Sequence, residues 1–239
     1  MQALDIGRAF TFGFEDEQWL TKLLIGALLL LLGFVFSFIL IGVVAFFILS
    51  GYAIATARNV SRDEELPLPT WEDFSGMLVD GFRLFVATFV WSIPLIVLYT
   101  PVIVLGFMVD QNNGGMWGAL FTIALLTCGC LALIYGIFLF IISPILIWLI
   151  AAEERIGAAL DVRRVIAILR SHLGQVVIVA IAIWVAQLLA SVVGALLCGV
   201  GLLATSVWAV WVQGHLVGQL GRLVTTPDVS GPYPAEAVG

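Results

Sequence analysis

Charge is scarce in this chain. Only 11% of its 239 residues are Asp, Glu, Lys or Arg, where a soluble globular domain carries about a quarter. Histidine occurs twice and cysteine three times. Cys128, Cys130 and Cys198 all fall in apolar runs, with no Cys-x-x-Cys pair and no histidine nearby, so they read as small buried core residues and not as a zinc or redox site. Nucleophile elbows, phosphate loops, His-Glu-x-x-His sites and dinucleotide fingerprints are all missing, so neither a catalytic residue, nor a metal, nor a cofactor is expected. The net charge of −6 and the lack of a basic groove argue against a nucleic-acid partner. No part of Met1 to Trp19 reads as a cleavable signal peptide, because acids and Arg8 interrupt it and no compact apolar stretch leads to a small-residue cleavage site.

What fills the chain is hydrocarbon. Hydrophobic residues make up 62% of it, and its mean hydropathy is +1.15. Four long runs carry no charge at all: Leu23 to Ala57, Leu84 to Val109, Gln111 to Ala152 and Leu173 to Gly221. A helix needs about 20 such residues to cross roughly 30 Å of hydrocarbon. The fold class is therefore an all-α integral membrane protein.

Run lengths set the number of crossings. The 35 residues between Lys22 and Arg58 are too many for one span and fit a tight hairpin turning near Ser37 to Gly42. Leu84 to Val109 makes one span kinked by Pro94 and Pro101, and Gln111 to Gly115 is a loop. Met116 to Ala152 makes one helix, broken or bent at Gly129, Gly136 and Pro144 and tilted or re-entrant in part. Leu173 to Gly221 is a second hairpin, turning near Gly199 to Gly201. The sum is six transmembrane helices. With that topology all ten basic residues (Arg8, Lys22, Arg58, Arg62, Arg83, Arg155, Arg163, Arg164, Arg170 and Arg222) fall on one side and none on the other. This positive-inside split places both termini in the cytoplasm and the protein in the cytoplasmic (inner) membrane. Residues 1–223 form one polytopic domain, and 224–239 read as a flexible cytosolic tail.

Three amphipathic segments precede membrane helices. Ile6, Phe10 and Phe14 share a face; Trp71, Phe74, Leu78 and Phe82 share another, with Glu72, Asp73 and Asp80 directed elsewhere. In Leu160 to Leu173 the residues Val162, Val165, Ile166, Leu169 and Leu173 form one apolar face opposite Arg163, Arg164 and Arg170. We read three repeats of interfacial amphipathic helix plus helical hairpin, with Leu4-Asp5 and Leu160-Asp161 as an echo. Between the first two repeats, the segment Ser61 to Thr70 is a joint kept wet by its acids and stiffened by Pro67 and Pro69. Trp19 and Trp71 stand at span edges, where an aromatic belt is expected.

Several stretches resemble one family: "AFTFGFEDEQWLTKLLIGALLLL", "GYAIATARNV", "LPLPTWEDF", "VDGFRL", "GAALDVRRVIAILRSH" and "HLVGQL". The chain is similar, from about Ala9 to about Leu223, to the polytopic bacterial and archaeal membrane proteins catalogued as domain of unknown function 4013. The resemblance implies a membrane topology and no activity.

Two places are candidate sites. Arg163, Arg164 and Arg170 on an interfacial helix suit anionic lipid headgroups, each adding about 1 kcal/mol, although the positive-inside rule alone also accounts for them. His215 and Gln219 are i, i+4 neighbours, with Gln213 beside them and Gln187 able to meet them from the preceding helix. That set is either a polar intramembrane binding spot or a histidine hydrogen-bonded for packing, and a lone histidine without a carboxylate makes a poor proton relay. Gly214-x-x-x-Gly218 permits close helix contact, within the monomer before any dimer. The expected function is a non-catalytic scaffold, assembly factor or accessory subunit whose partners are the bilayer and other membrane protein subunits. A transporter or channel for a small or lipidic molecule is the alternative, resting on proline-broken helices; a membrane enzyme ranks third.

Overall fold

A computed structural model describes residues 4–36, 41–111, 115–197 and 201–225. Among them there is no strand. A short helix α1 (Ile6–Thr11) and a 3-10 turn (Phe12–Glu15) lead into α2 (Trp19–Val35). Then come α3 (Ile41–Ser61), α4 (Phe74–Gln111), α5 (Met116–Glu153), α6 (Ile156–Leu160), α7 (Val162–Ser171), α8 (Leu173–Leu196) and α9 (Gly201–Thr225). The two expected hairpin turns and most of the expected loop coincide with residues 37–40, 198–200 and 112–114, which lie outside the described residues, as do Cys198 and most of the expected tail. Helix α9 continues two residues past the expected domain boundary at 223.

Four helical stretches are long and apolar enough to cross a membrane: 42–61, 74–109, 116–153 and 173–196. The N-terminal segment Ile6–Glu15 and α2 pass together as a fifth candidate, but they meet at 98°. Helix α2 has 17 residues, so it spans only about 26 Å. Helix α9 carries Gln213, His215, Gln219 and Arg222 in its last half.

Helix α3 is the axle. It packs on α4, α9, α2 and α5. The contact with α4 is the closest: a Cβ on Gly51 would lie 1.8 Å from the Met77 carbonyl oxygen, and one on Gly81 would lie 1.8 Å from that of Phe47. Only glycine lets two helix backbones cross at that distance. On its other side α3 receives α9 through Gly214 and Gly218, whose Cβ positions fall 2.7 Å from the carbonyl oxygens of Ala53 and Ala57. The small-residue motif of α9 thus serves packing inside one chain. The larger core joins the end of α5, from Ile142 to Ala151, with α3, α8 and α9.

Helices α4 and α5 are continuous and longer than the expected spans. Each has 38 residues, about 57 Å. Both remain helical through Pro94, Pro101 and Pro144, and α5 is broken at neither Gly129 nor Gly136. In an apolar medium a break would strand several backbone groups without water, whereas a proline forfeits one N–H bond. Cys128 is half-buried and Cys130 exposed on α5, so these two are not core residues.

The amphipathic segments also resolve differently. Trp71, Phe74, Leu78 and Phe82 do not form a separate interfacial helix: α4 starts at Phe74, with Asp73 accepting a hydrogen bond from the Gly76 amide at 2.8 Å as its N-cap. Trp71 is 9% exposed, so it belongs to the core and not to a belt. In the N-terminal segment Ala9 and Phe12 are buried while Ile6 and Phe14 are exposed. The third segment is divided, because Asp161 and His172 interrupt it, leaving Leu160 in α6 and Leu173 in α8; Val165 and Ile168 are its buried residues.

Candidate functional site

Among the described residues every charge but Asp110, at the far end of α4, converges on one end of the bundle, where the starts of α2, α4 and α8 meet the ends of α3, α5 and α9. The segment between α3 and α4 lies across this end and is bolted down. Its prolines lack N–H groups, so the extended stretch presents bare carbonyls. Three consecutive ones each receive a donor. Asn59 Nδ2 donates to Pro67 O at 3.1 Å, Lys22 Nζ to Leu68 O at 2.7 Å, and the Tyr52 hydroxyl to Pro69 O at 3.0 Å. The Leu68 side chain is buried, and the Trp71 indole N–H donates to Lys22 O at 3.1 Å. Lys22 also pairs with Asp16 at 2.6 Å, both side chains being under 10% exposed. What reads as a wet joint is therefore a strap.

A second network ties α3, α4 and α5. Asp80, expected off the apolar face of its segment, is buried between Arg58 at 2.9 Å and Arg83 at 2.6 Å. Arg58 Nε donates to Ala151 O at 3.0 Å, and its guanidinium lies 3.4 Å from Glu154. Nothing in the local pattern around Asp80 reports this burial. A signal was available: single charges flanking apolar runs at Asp16, Lys22, Arg58 and Asp80 must find partners when their helices pack.

The residues His215 and Gln219 do come together. Gln219 Oε1 accepts from the Asp5 amide at 2.8 Å, and its Nε2 donates to Asp5 O at 2.9 Å and to His215 Nδ1 at 3.0 Å. Those two backbone bonds fix which way the Gln219 amide faces. Nδ1 of His215 then acts as acceptor, and the ring proton sits on Nε2. The imidazole is 6% exposed and rests on the Phe12 ring, centroids 4.2 Å apart. Gln213, two residues earlier and so on another face of α9, is half-buried without a polar partner among the described residues and does not join the pair. Gln187 does not join them. The Thr205 hydroxyl donates to Ala190 O, a pairing that sets Gln187 level with Trp208, about 10 Å along the axis from His215, and on an exposed face. Sequence alone did not give the α8–α9 register.

Above His215 opens a cavity of about 350 Å³. Its wall joins the N-terminal segment (Asp5, Arg8, Phe12, Glu15), the strap (Asp63, Glu64, Glu65, Pro67) and the end of α9 (Gln219, Arg222). Arg222 pairs with Asp63, and its Nε donates to Val60 O at 2.7 Å; Arg8 lies 3.8 Å from Glu15. Among the described residues no three His, Cys, Asp or Glu side chains are grouped to hold a metal ion.

On α7, Asp161 caps the helix by accepting from the Arg164 amide at 3.2 Å. Arg164 forms an ion pair with Glu153, which Arg155 shares. Arg163 and Arg170 are exposed and without an ion pair among the described residues. The three arginines thus divide into one that fastens α7 to the end of α5 and two that face outward.

The strap and the helices around it fall within a likeness to a known family. The family model described as "Protein of unknown function (DUF4013)" matches residues 34–199. The chain belongs to this family. The DUF4013 match takes in the strap, α3 to α8 and both outward-facing arginines, while His215, Gln219 and the N-terminal segment lie outside it. No curated protein and no solved structure matches.

Proposed function

We propose that the protein is a non-catalytic multi-pass membrane protein, a scaffold, assembly factor or accessory subunit, with six membrane helices and both termini in the cytoplasm. The observation that carries the reading is the use made of polar groups at the charged end. Lys22, Tyr52, Asn59, Arg58 and Asp80 are all engaged in holding helices and strap to one another. An enzyme would keep some of them convergent on a reacting centre. The result is a stiff platform on a lipid-embedded bundle, suited to presenting a surface to another membrane subunit.

Three aspartates support a threefold repeat. Asp5, Asp73 and Asp161 each cap a helix by accepting from the amide three residues on, and each precedes a pair of apolar helices. Collection of the ion pairs at one end, among the described residues, favours six crossings, since an odd number would carry one charged terminus across. The 98° turn into α2 suits a first segment lying flat on the membrane. A transporter is the second reading, but α4 and α5 run unbroken and withdraw the support that interrupted helices lent it.

Reporter fusions after Asn113 and after Thr226 should report opposite faces of the membrane; a shared face overturns the topology. Purification in mild detergent should yield a stoichiometric protein partner, whereas a monomer carrying a bound small molecule favours the transporter. For the lipid contact, full-length protein with Arg163→Gln and Arg170→Gln should lose about 30-fold of its preference for anionic over neutral lipid at low salt. Arg164→Gln should change that preference little, and equal effects from all three would point to simple orientation.

A further inference from the structure

The cavity over His215 has features the platform reading does not use. Five carboxylates line it (Asp5, Glu15, Asp63, Glu64 and Glu65) against two guanidinium groups, Arg8 and Arg222. Asp63 is engaged by Arg222, Glu15 has Arg8 within 3.8 Å, and Asp5 caps α1. Glu64 and Glu65 are exposed at the rim with no ion pair or side-chain hydrogen bond among the described residues. The excess charge therefore sits on the strap, at the mouth. The wall also holds a buried donor with no partner among the described residues. His215 is more than nine-tenths buried, its Nδ1 is taken by Gln219, and its Nε2 proton has no acceptor among the described residues while the ring lines the cavity.

We propose that this cavity binds a small organic cation: a primary alkylammonium that carries a neutral hydrogen-bond acceptor, carbonyl or hydroxyl, a few bonds from its nitrogen. The ammonium lies between Glu64 and Glu65, and the acceptor takes the His215 Nε2 proton. A simple metal ion does not suit the place, because the carboxylates ring the mouth without gathering into a ligand set. An anion does not suit it either, since it would meet an excess of three negative charges. The volume of about 350 Å³ lies at the small end of ligand pockets. This chemistry has two sources, a lysine side chain beside its own peptide carbonyl on a partner protein, or a free amino alcohol. The site stands apart from the platform reading, and its failure would leave that reading intact.

The test is binding to the purified full-length protein in detergent, measured by calorimetry. Four probes are compared: Nα-acetyl-lysine N-methylamide, 4-amino-1-butanol, n-butylammonium without an acceptor, and Nα-acetyl-norleucine N-methylamide without a charge. At least one of the first two should bind saturably, and at least about tenfold tighter than the last two. A tighter lysine derivative identifies a partner's lysine as the source, and a tighter amino alcohol a free one. Glu64→Gln with Glu65→Gln should weaken the better probe by about fivefold for each lost charge, and added salt should weaken it in the wild type. His215→Phe should bring that probe down to the level of butylammonium and leave butylammonium unchanged, a split that a merely structural role would not produce. If His215→Phe does not fold, the exposed glutamate pair decides alone. Absence of saturable binding by both acceptor-bearing amines, or binding indifferent to the loss of Glu64 and Glu65, overturns the proposal.

Discussion

Helices α3 and α4 lie against each other and are buried very differently. In the apolar stretch of α3, 56% of residues are inside the protein, against 6% in α4. The more apolar helix is the more exposed one, as Val97, Ile103 and Phe107 of α4 illustrate at over half exposed. A water-soluble fold sorts the other way. In lipid the solvent is as apolar as leucine, so hydrophobicity does not select what goes inside; close contact between small residues does. Helix α3 has Gly51, Ala53, Thr56 and Ala57 for that purpose. On α5, the partner of α4 in the outer arm, Gly118, Gly129 and Gly136 would each have nothing within 4 Å of an added Cβ.

The contrast can be broken most severely at the crossing. Gly51→Ala places a methyl group 1.8 Å from a backbone oxygen, so the two helices must separate. Ordinary overpacking costs about 1–3 kcal/mol; here backbone must move, and the expected result is loss of the monodisperse peak in size exclusion. Recovery of a normally folded variant would show that α3 and α4 cross more loosely than described.

Next comes the buried pair under the strap. Lys22→Met leaves Asp16 charged and without its cation, at a cost of about 3–5 kcal/mol, and also frees Leu68 O. Adding Asp16→Leu should return a large part of that loss, because a desolvated pair contributes less than its separation costs. Thermal unfolding of the two variants in detergent compares them directly, and equal melting temperatures would mean that the ion pair is wet.

A third effect separates lipid from water around the arm. Ile96 on α4 is 53% exposed. If hydrocarbon covers it, Ile96→Arg should impair membrane insertion by about 2.5–3.5 kcal/mol. Insertion equal to wild type would place that face in water or against another subunit's polar surface. The smallest effect is expected at Gly136→Ala, which should raise stability by about 0.5–1 kcal/mol through helix propensity alone. Destabilisation there would reveal a neighbour packed on the arm.

The helical class and the spans that pass on length were legible because charge-free runs leave few alternatives. The i, i+4 spacing of His215 and Gln219 was equally legible, since it depends on one helix. The strap was not. Its acids at Asp63 to Glu65 do face outward, but the carbonyls of Leu68 and Pro69 are held by Lys22 and Tyr52, residues 46 and 17 positions away from the carbonyls they bind. Gln187 failed for the same reason, as its level on α8 depends on how two helices slide. Local pattern reports what one element wants, and register between elements is a property of pairs.

The hold of Gln219 on the Asp5 backbone joins positions 214 residues apart, and the Trp208 indole likewise reaches back to Phe10 O at 3.2 Å. Ribosomes add about 5–20 residues per second, so the first helical segment waits some 10–40 s for its partner to be made. During that interval Phe12 lacks the His215 ring it lies against, and Gly13 lacks Trp211. The N-terminal segment therefore cannot complete its packing before α9 is made, and its protection from protease during synthesis would time the arrival of α9.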